Sequence, residues 1–180
     1  MRKEGDVLPT VQFVLRENGE FVTRRTEDIF INEKKYVLFS LPGAFTPTCT
    51  SYQLPGFEEL YDEFIKEGIE DIYCVSVNDA FVMNAWAKEL GIEKVKMLAD
   101  GNGYFTRAMG QLVLKSNLGF GQRSWRYASV VDSPNIVKMF VEPGFADNVS
   151  EDPYEVTNPE NVLNYLRSEE YKIFKEDIHH

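Results

Sequence analysis

The sequence predicts an α/β fold with a mixed central sheet, and three observations lead to this fold class. Residues 34–41, 71–77 and 95–100 are apolar runs of strand length, which are typical of strands buried on both faces. Amphipathic helical patterns separate these runs, and alternation of strands and helices favours helices packed on a sheet. Two further extended runs flank residues 133–135 and predict an antiparallel hairpin, which makes the sheet mixed.

An N-terminal hairpin is predicted ahead of this sheet. Asn18–Gly19 separates two extended runs, and this dipeptide is a strong signal for a two-residue hairpin turn. The first helical pattern then covers residues 56–68 and ends at Gly68. Its expected buried face comprises Phe57, Leu60, Tyr61, Phe64 and Ile65.

The second helical pattern follows the strand at 71–77. Asn78 or Asp79 is the expected cap, and Gly91 is the expected stop. The residues that we expect this helix to bury are Val82, Ala85, Trp86 and Leu90. Residues 101–110, after the third strand, predict a loop and a short helix.

The last helix is predicted from the capping-box spacing of Thr157 and Glu160. Its apolar residues are Val162, Leu163 and Leu166. A chain of 180 residues with 43% apolar content is expected to form one domain with an ample core. We place this domain at residues 1–168 and expect residues 169–180 to be a tail or linker.

The charge of the chain excludes several classes of partner. The formal net charge is −10, so a nucleic-acid backbone or an anionic membrane surface is not expected to bind. No apolar run approaches the ~18 residues of a membrane span. The first residues lack the apolar core of a secretory signal, and a cytoplasmic location is the expectation.

The chain has two cysteines, Cys49 and Cys74, and two histidines, His179 and His180. Two cysteines without a CxxC motif make neither a disulfide framework nor a zinc site. The terminal histidine pair has the pattern of a frayed end or an expression-tag remnant. No metal is therefore expected, and a reactive cysteine must be activated by a group other than histidine.

Cys49 lies just after a predicted strand-to-helix turn. Pro42–Gly43 turns the chain, Thr46 fits the N-cap, and Pro47 fits the first helical position. Unpaired N–H groups and the helix dipole at this place favour a thiolate over a thiol. Pro55 predicts that the first helical segment is short, kinked and able to unwind. The alternative is that Cys49 is a small buried apolar residue.

The pattern Pro42-x-x-x-Thr46-x-x-Cys49 should arise by chance in about one in a hundred chains of this length. At these residues the sequence resembles the peroxiredoxin family, and residues 42–57, "PGAFTPTCTSYQLPGF", look like its type 5 subfamily. The resemblance continues at residues 75–86, 99–110 and 119–131. It implies a thioredoxin-like fold and thiol-dependent reduction of hydrogen peroxide and organic hydroperoxides.

The resemblance also implies roles for four residues. Cys49 corresponds to the peroxidatic cysteine, Pro42 and Thr46 to the motif proline and threonine, and Arg126 to the conserved arginine. A thiolate that attacks a peroxide needs donors aimed at the stretching O–O bond. Besides Arg126 and the Thr46 hydroxyl, these candidates are the N–H groups of residues 43–45 and 48–49.

Gly43, Phe45 and Thr48 are accordingly the expected substrate-binding residues, and Pro42 is expected to cover the thiolate. The expected product is a sulfenic acid, the first step of cysteine oxidation. Arg123 stays open between a surface charge, a residue that supports the site and an interface residue.

Cys74 lies in mid-strand among apolar neighbours and is expected to be a packed core thiol. No cysteine follows it, so a one-cysteine cycle is expected, in which an external thiol reduces Cys49. The resemblance to bacterial peroxiredoxin–glutaredoxin hybrids indicates glutathione, with or without glutaredoxin, and no prosthetic cofactor. If Cys74 did form a disulfide with Cys49, the first helix would have to unwind and the strand would have to open.

Two other function classes remain as alternatives. One is a peroxide-sensing redox switch or binding module without sustained turnover. The other is a thiol–disulfide oxidoreductase, which the missing CxxC disfavours. Phe45, Trp86 and Phe120 are expected in the core. The resemblance also implies a homodimer formed near the site loops, where Phe45 is the alternative contact.

Overall fold

The computed structural model describes residues 1–168 and 170–172 of the chain. Glu169 and residues 173–180, which include most of the expected tail and both histidines, lie outside the described residues.

The described chain contains nine strands and six α-helices. The strands are β1 Gln12–Glu17, β2 Glu20–Arg25, β3 Lys35–Ser40, β4 Asp71–Ser76, β5 Lys96–Ala99, β6 Leu112–Leu114, β7 Gln122–Ser124, β8 Tyr127–Asp132 and β9 Asn135–Val141. The α-helices are α1 Thr26–Ile29, α2 Leu54–Glu59, α3 Tyr61–Lys66, α4 Ala80–Glu89, α5 Tyr104–Met109 and α6 Pro159–Leu166. A π-helical turn, Cys49–Gln53, leads into α2, and a 3₁₀ turn, Ser116–Leu118, lies between β6 and β7.

The central sheet has five strands in the order β5-β4-β3-β8-β9. β3 pairs in parallel with β4, and β4 with β5, whereas β8 runs antiparallel to both β3 and β9. This arrangement confirms the predicted mixed sheet. The carboxyl ends of β3, β4 and β5 therefore meet at one edge, where the loops that follow them come together.

The predicted N-terminal hairpin is confirmed as β1 and β2. Glu17 pairs with Glu20, so Asn18 and Gly19 alone form the turn. Both have positive φ angles, 51° and 79°, which is the conformation that the two-residue turn requires.

The predicted helix over 56–68 is two helices, α2 and α3. Leu60, at φ −93° and ψ 5°, leaves the helical conformation between them. Gly68 follows α3 with a φ of 90°, as the predicted stop requires. Phe57 and Phe64 are buried as expected, but Ile65 is 39% exposed because the break changes which side of α3 faces the sheet.

Asp79 caps α4, because its carboxylate accepts a hydrogen bond from the N–H of Val82. The expected buried face of α4 was partly wrong. Ala80, Met83 and Trp86 are buried, whereas Ala85 is exposed and Val82 is half-buried. The helix begins directly after its cap, so the three-residue spacing from Ala80 determines the buried side.

The expected capping box of the last helix was also wrong by one residue. Asn158, not Thr157, is the N-cap of α6, and its side chain accepts from the N–H of Asn161. Thr157 is fully buried instead, because its hydroxyl donates to Glu142. A neighbouring tertiary partner thus outweighs the local capping signal.

Alternating residues of β3 belong to two cores, one on each face of the sheet. Val37 and Phe39 join the core under α2, α4 and α6, which also contains both cysteines. Tyr36 and Leu38 join the opposite core. Tyr171 packs into the first core as well. In the described part of the chain, no helix is long and apolar enough to cross a membrane.

Candidate active site

The loop after β3, residues 41–46, places the motif of Pro42, Thr46 and Cys49 at the carboxyl edge of the sheet. Phe45 has a φ of 65°, a left-handed conformation that a non-glycine residue adopts only when its surroundings enforce it. Gly43 leaves space for Arg123, because a Cβ there would lie 2.3 Å from Nη1, the flexible end of that side chain, which would have to move.

A hydrogen bond from the next strand holds this loop. The N–H of Ala44 donates to Oδ1 of Asn78 at 3.0 Å, and the Ser76 hydroxyl donates to the same oxygen at 2.6 Å. One expectation was therefore wrong: the Ala44 N–H, which lies among the predicted donors to substrate, is already engaged.

Thr46 occupies the position that was predicted for it, directly before a helical turn that begins at Pro47. Its hydroxyl does not cap that turn, however, because it donates to the carbonyl of Gly43 at 2.6 Å. The first intrahelical bond runs from the N–H of Thr50 to the carbonyl of Thr46. The N–H groups of Thr48 and Cys49 precede it and so lack an intrahelical acceptor.

The helical turn that carries Cys49 is widened. Residues Cys49–Gln53 form a π turn, in which the N–H of Leu54 donates to the carbonyl of Cys49. Pro55, which has no N–H to donate, follows immediately. The predicted local departure from α-helical geometry is present here, and it takes the form of a π turn.

Arg126 joins the groups of the site. It is 1% exposed, and its Nη1 lies 3.3 Å from Sγ of Cys49 and 2.5 Å from Oε1 of Gln53. Its Nη2 donates to Asp152 at 2.6 Å. Burial opposes the charge of Arg126, but Cys49 and Asp152 outweigh burial and raise the pKa of the guanidinium above its usual value.

A buried carboxylate organises the chain segment that faces Arg126. Glu142, 1% exposed, accepts hydrogen bonds from the N–H groups of residues 155, 156 and 157. Thr157 in turn accepts from the side-chain amide of Gln53 at 3.3 Å. The same segment carries Asp152, and it places the ring of Tyr154 5.8 Å from the guanidinium of Arg126.

Pro42 is buried at the edge of the site. Its carbonyl accepts from Nη1 of Arg123 at 3.2 Å, and Nε of Arg123 donates to the carbonyl of Phe120. Among the alternatives left open for Arg123, its contacts are those of a residue that supports the site. Burial lowers its pKa, which the charge of Cys49 partly offsets.

Cys74 lies in β4 and is fully buried in the same core as Cys49, and both thiols are free. Burial, followed by the charge of Cys49, raises the pKa of Cys74 well above its usual value. In this state Cys74 is thus a packed thiol, as the sequence predicts.

The aromatic residues of the site are only partly in the core. Trp86 is fully buried, and its indole N–H donates to the Thr50 hydroxyl at 3.0 Å. Phe45 lies 6.4 Å from the Trp86 ring but is 52% exposed, and Phe120 is half-buried. The expectation of a core position was wrong for Phe45 and for Phe120, neither of which belongs to a core cluster.

The structure brings together Pro42, Gly43, Thr46, Thr48, Cys49 and Arg126, with Phe45 at the rim. Sequence reasoning missed Gln53, Asn78, Glu142 and Asp152. Only Gln53 carried a signal, since a residue four positions after Cys49 shares its side of a helical turn. Across residues 1–168 and 170–172, no group of three or more metal-ligating side chains occurs.

Comparisons with known proteins agree with this geometry. A protein-family model described as Redoxin matches residues 3–156. The chain is 62% identical over 145 residues to "Peroxiredoxin y4vD" of Sinorhizobium fredii, covering 81% of this chain and 77% of that protein. It is 47% identical to "Hybrid peroxiredoxin hyPrx5" of Haemophilus influenzae, covering 91% of this chain and 66% of that protein.

A solved structure is similarly close. The Plasmodium falciparum antioxidant protein, described as a 1-Cys peroxiredoxin, superposes with a TM-score of 0.88 at 43% identity, covering 92% of this chain and 99% of that one.

Proposed function

The chain belongs to the peroxiredoxin family of thiol-dependent peroxidases, and we propose that Cys49 is the residue that its hydroperoxide substrate oxidises. The observation that carries this proposal is the contact of 3.3 Å between Arg126 and Sγ of Cys49. A buried guanidinium at that distance stabilises a thiolate, which is the nucleophilic form of cysteine. No hydrogen bond from a guanidinium or an ammonium reaches Cys74 within residues 1–168 and 170–172.

In the proposed reaction the Cys49 thiolate attacks the nearer peroxide oxygen along the O–O bond. The S–O bond forms while the O–O bond breaks, and the leaving oxygen takes up a proton and departs as water or an alcohol. Negative charge moves from sulfur to that oxygen. Arg126 stabilises this movement at the sulfur, because Nη1 lies 3.3 Å from Sγ. In the proposed scheme the charge of the guanidinium also attracts the leaving oxygen.

Thr46 orients the peroxide in this scheme. Its hydrogen is engaged with the carbonyl of Gly43, so its remaining lone pairs accept the O–H of the hydroperoxide. The N–H groups of Gly43, Phe45, Thr48 and Cys49 remain the proposed backbone contacts.

Pro42, which has no N–H, covers the sulfur and limits access by solvent. The carbonyl contact with Arg123 holds Pro42 in this position.

Members of the family use an external thiol, and here we assign the recycling of Cys49 sulfenic acid to a one-cysteine cycle. Cys74 is buried and its raised pKa disfavours the thiolate, so attack on Cys49 from within the chain is disfavoured. Glutathione, with or without glutaredoxin, is the proposed reductant. The described 1-Cys character of the Plasmodium protein supports the cycle, and the hybrid relative supports the assignment to the type 5 group.

We further place the protein in the cytoplasm as a homodimer. The exposed ring of Phe45 at the site rim supports a dimer contact there, since aromatic residues are enriched in interfaces. Sedimentation of the wild type and of Phe45→Glu tests this contact, and equal, monomeric behaviour of both would contradict it.

Sustained turnover tests the proposed function. Hydrogen peroxide and glutathione with glutaredoxin are supplied to the wild type, to Cys49→Ser and to Cys74→Ser. We expect many equivalents of peroxide to be consumed by the wild type and by Cys74→Ser, and none above background by Cys49→Ser. Consumption of only one equivalent per chain with every thiol tested would instead identify a redox switch.

A further inference from the structure

An unpaired ammonium lies in a narrow hollow beside the site. The hollow is lined by Pro42, Lys115, Trp125, Arg126, Asp152 and Pro153, and these residues leave no room in it for a water molecule. A ligand group can therefore enter only where one of these side chains moves aside. It touches both the proposed cover of Cys49 and the arginine that contacts its sulfur.

Lys115 is 4% exposed. Its ammonium lies 5.7 Å from the ring centroid of Trp125, and no hydrogen bond or ion pair joins it to another residue in the described part of the chain. Burial lowers the pKa of Lys115, and the charge of Asp152 offsets part of that effect. Nζ of Lys115 is not one of the fully buried polar atoms that lack a partner in the described chain, so the ammonium keeps contact with solvent while the rest of the side chain is buried.

The hollow already shows which chemistry it accepts. Asp152, on the exposed segment between β9 and α6, places its carboxylate 2.6 Å from Nη2 of Arg126. The Asp152 side chain is itself 42% exposed, so it has room to leave toward solvent. Arg126 also has a buried Nε without a hydrogen-bond partner. A carboxylate from another molecule that took the place of Asp152 would meet Nη2 of Arg126 and the ammonium of Lys115.

The local charge balance favours an anion after oxidation. Lys115, Arg123 and Arg126 carry three positive charges, and each is electrostatically coupled to Cys49. They face two negative charges, the proposed Cys49 thiolate and Asp152. Glu142, buried nearby and bonded to three neutral N–H groups, adds a third negative charge.

Conversion of the thiolate to a neutral sulfenic acid removes one of these negative charges. It therefore leaves one positive charge unbalanced, in a chain whose formal net charge is −10.

We propose that Lys115 and Arg126 form a carboxylate-binding subsite that seats an anionic, carboxylate-bearing low-molecular-mass thiol for attack on oxidised Cys49. This inference rests on the proposed function. The carboxylate replaces that of Asp152 beside Arg126, and the affinity rises when the hollow gains positive charge on oxidation. The site thus favours the neutral hydroperoxide while Cys49 is a thiolate. It favours the anionic reductant after Cys49 has become a neutral sulfenic acid.

The chemical step is a thiol exchange at sulfur. The thiolate of the bound reductant attacks Sγ of Cys49 sulfenic acid, an S–S bond forms, and the S–O bond breaks. The hydroxyl leaves with a proton as water. A second thiol molecule attacks the reductant sulfur of this mixed disulfide, which releases the reductant disulfide and returns Cys49 to the thiolate.

A pair of thiols of similar reactivity isolates the carboxylate. Cys49 is oxidised with one equivalent of hydrogen peroxide, and the loss of sulfenic acid is then followed by rapid quenching and mass spectrometry. The probes are 3-mercaptopropionate, which carries a carboxylate, and 2-mercaptoethanol, which does not. The measured quantity is the second-order rate constant of 3-mercaptopropionate divided by that of 2-mercaptoethanol. General effects on the reactivity of Cys49 cancel in this ratio.

Two variants should move this ratio in opposite directions. Lys115→Met removes the charge, and roughly a tenfold fall is expected for a unit charge at ~6 Å in an effective dielectric constant of ~40. Asp152→Ala removes the competing carboxylate, and the ratio should rise severalfold. Lys94→Met is the matched control, because Lys94 precedes β5 at the opposite edge of the sheet, and it should leave the ratio unchanged.

Failure of the subsite is distinguishable from failure of the proposed function. If both thiols reduce Cys49 but Lys115→Met leaves the ratio within twofold of the wild type, the subsite is refuted and the peroxidase cycle stands. An equal fall in Lys94→Met also refutes it, since the effect then reflects overall charge. If no sulfenic acid forms on Cys49, the proposed function falls and the subsite with it.

Discussion

Replacement of Arg126 by methionine should reduce the reactivity of Cys49 in two separable ways. Nη1 of Arg126 lies 3.3 Å from Sγ of Cys49, and Arg126 is buried. With an effective dielectric constant of ~20 to ~40, a pair at this distance is worth about 2.5 to 5 kcal/mol. That range corresponds to a fall of roughly a hundredfold to several thousandfold in a rate constant that depends on this contact.

Two assays distinguish the contributions of the guanidinium. Alkylation by iodoacetamide at pH 7 reports only how much Cys49 is present as thiolate. The reaction with hydrogen peroxide also depends on the attraction between the guanidinium charge and the leaving oxygen in the proposed mechanism. We therefore expect the peroxide rate constant of Arg126→Met to fall further than its alkylation rate constant.

Arg126→Lys is the matched variant, because it keeps the charge but cannot contact Cys49, Gln53 and Asp152 together. Its rates should lie between those of the wild type and those of Arg126→Met. Circular dichroism and thermal unfolding establish that each variant is folded. Peroxide and alkylation rates of a folded Arg126→Met within threefold of the wild type would refute the role of this contact.

Three further outcomes are expected from the same geometry. Thr46→Val should lower peroxide turnover at least tenfold and Thr46→Ser only a fewfold, because the hydroxyl is required; equal losses would contradict its role as acceptor. In the folded protein, iodoacetamide should label Cys49 and leave Cys74 unlabelled from pH 6 to pH 9, because Cys74 stays protonated below its raised pKa. Mass spectrometry reads the labelling of both cysteines, and denaturant should make Cys74 reactive. Gly43→Ala should displace the flexible end of Arg123 from the Pro42 carbonyl. The peroxide rate constant should then fall severalfold while the melting temperature changes by only a few degrees, and an unchanged rate constant would contradict the role of Arg123 in holding Pro42.

The parts of the fold that depend only on residues adjacent in the sequence were predictable. The apolar run of β3 and the Asn18–Gly19 turn specify their conformations locally, and both were confirmed. The break at Leu60 and the buried side of α4 were not predictable in this way. They depend on where each helix begins and on which side the sheet approaches it, and this is tertiary information.

The same distinction holds within the site. Pro42, Thr46 and Cys49 fall within eight residues, so their spacing already brings them together. Gln53, four positions after Cys49, shares its side of the turn, but its partner Arg126 lies 73 residues further along the chain and no short pattern links the two.

Asp152 and Glu142 belong to the site for a different reason. Residues 143–157 have no periodic pattern. This segment brings Asp152 to Arg126, and Glu142 holds it by accepting hydrogen bonds from the N–H groups of residues 155–157. Their contributions are therefore visible only in the folded chain.

The indole hydrogen bond between Trp86 and Thr50 has a practical consequence. Trp86 reports on the residue next to Cys49, so any rearrangement of that turn during a redox cycle should alter its fluorescence. The chain's only other tryptophan, Trp125, borders the Lys115 hollow. Substituting phenylalanine for either one leaves a single tryptophan. Its stopped-flow fluorescence can then follow the reaction with peroxide and the reaction with thiol separately in an unlabelled protein.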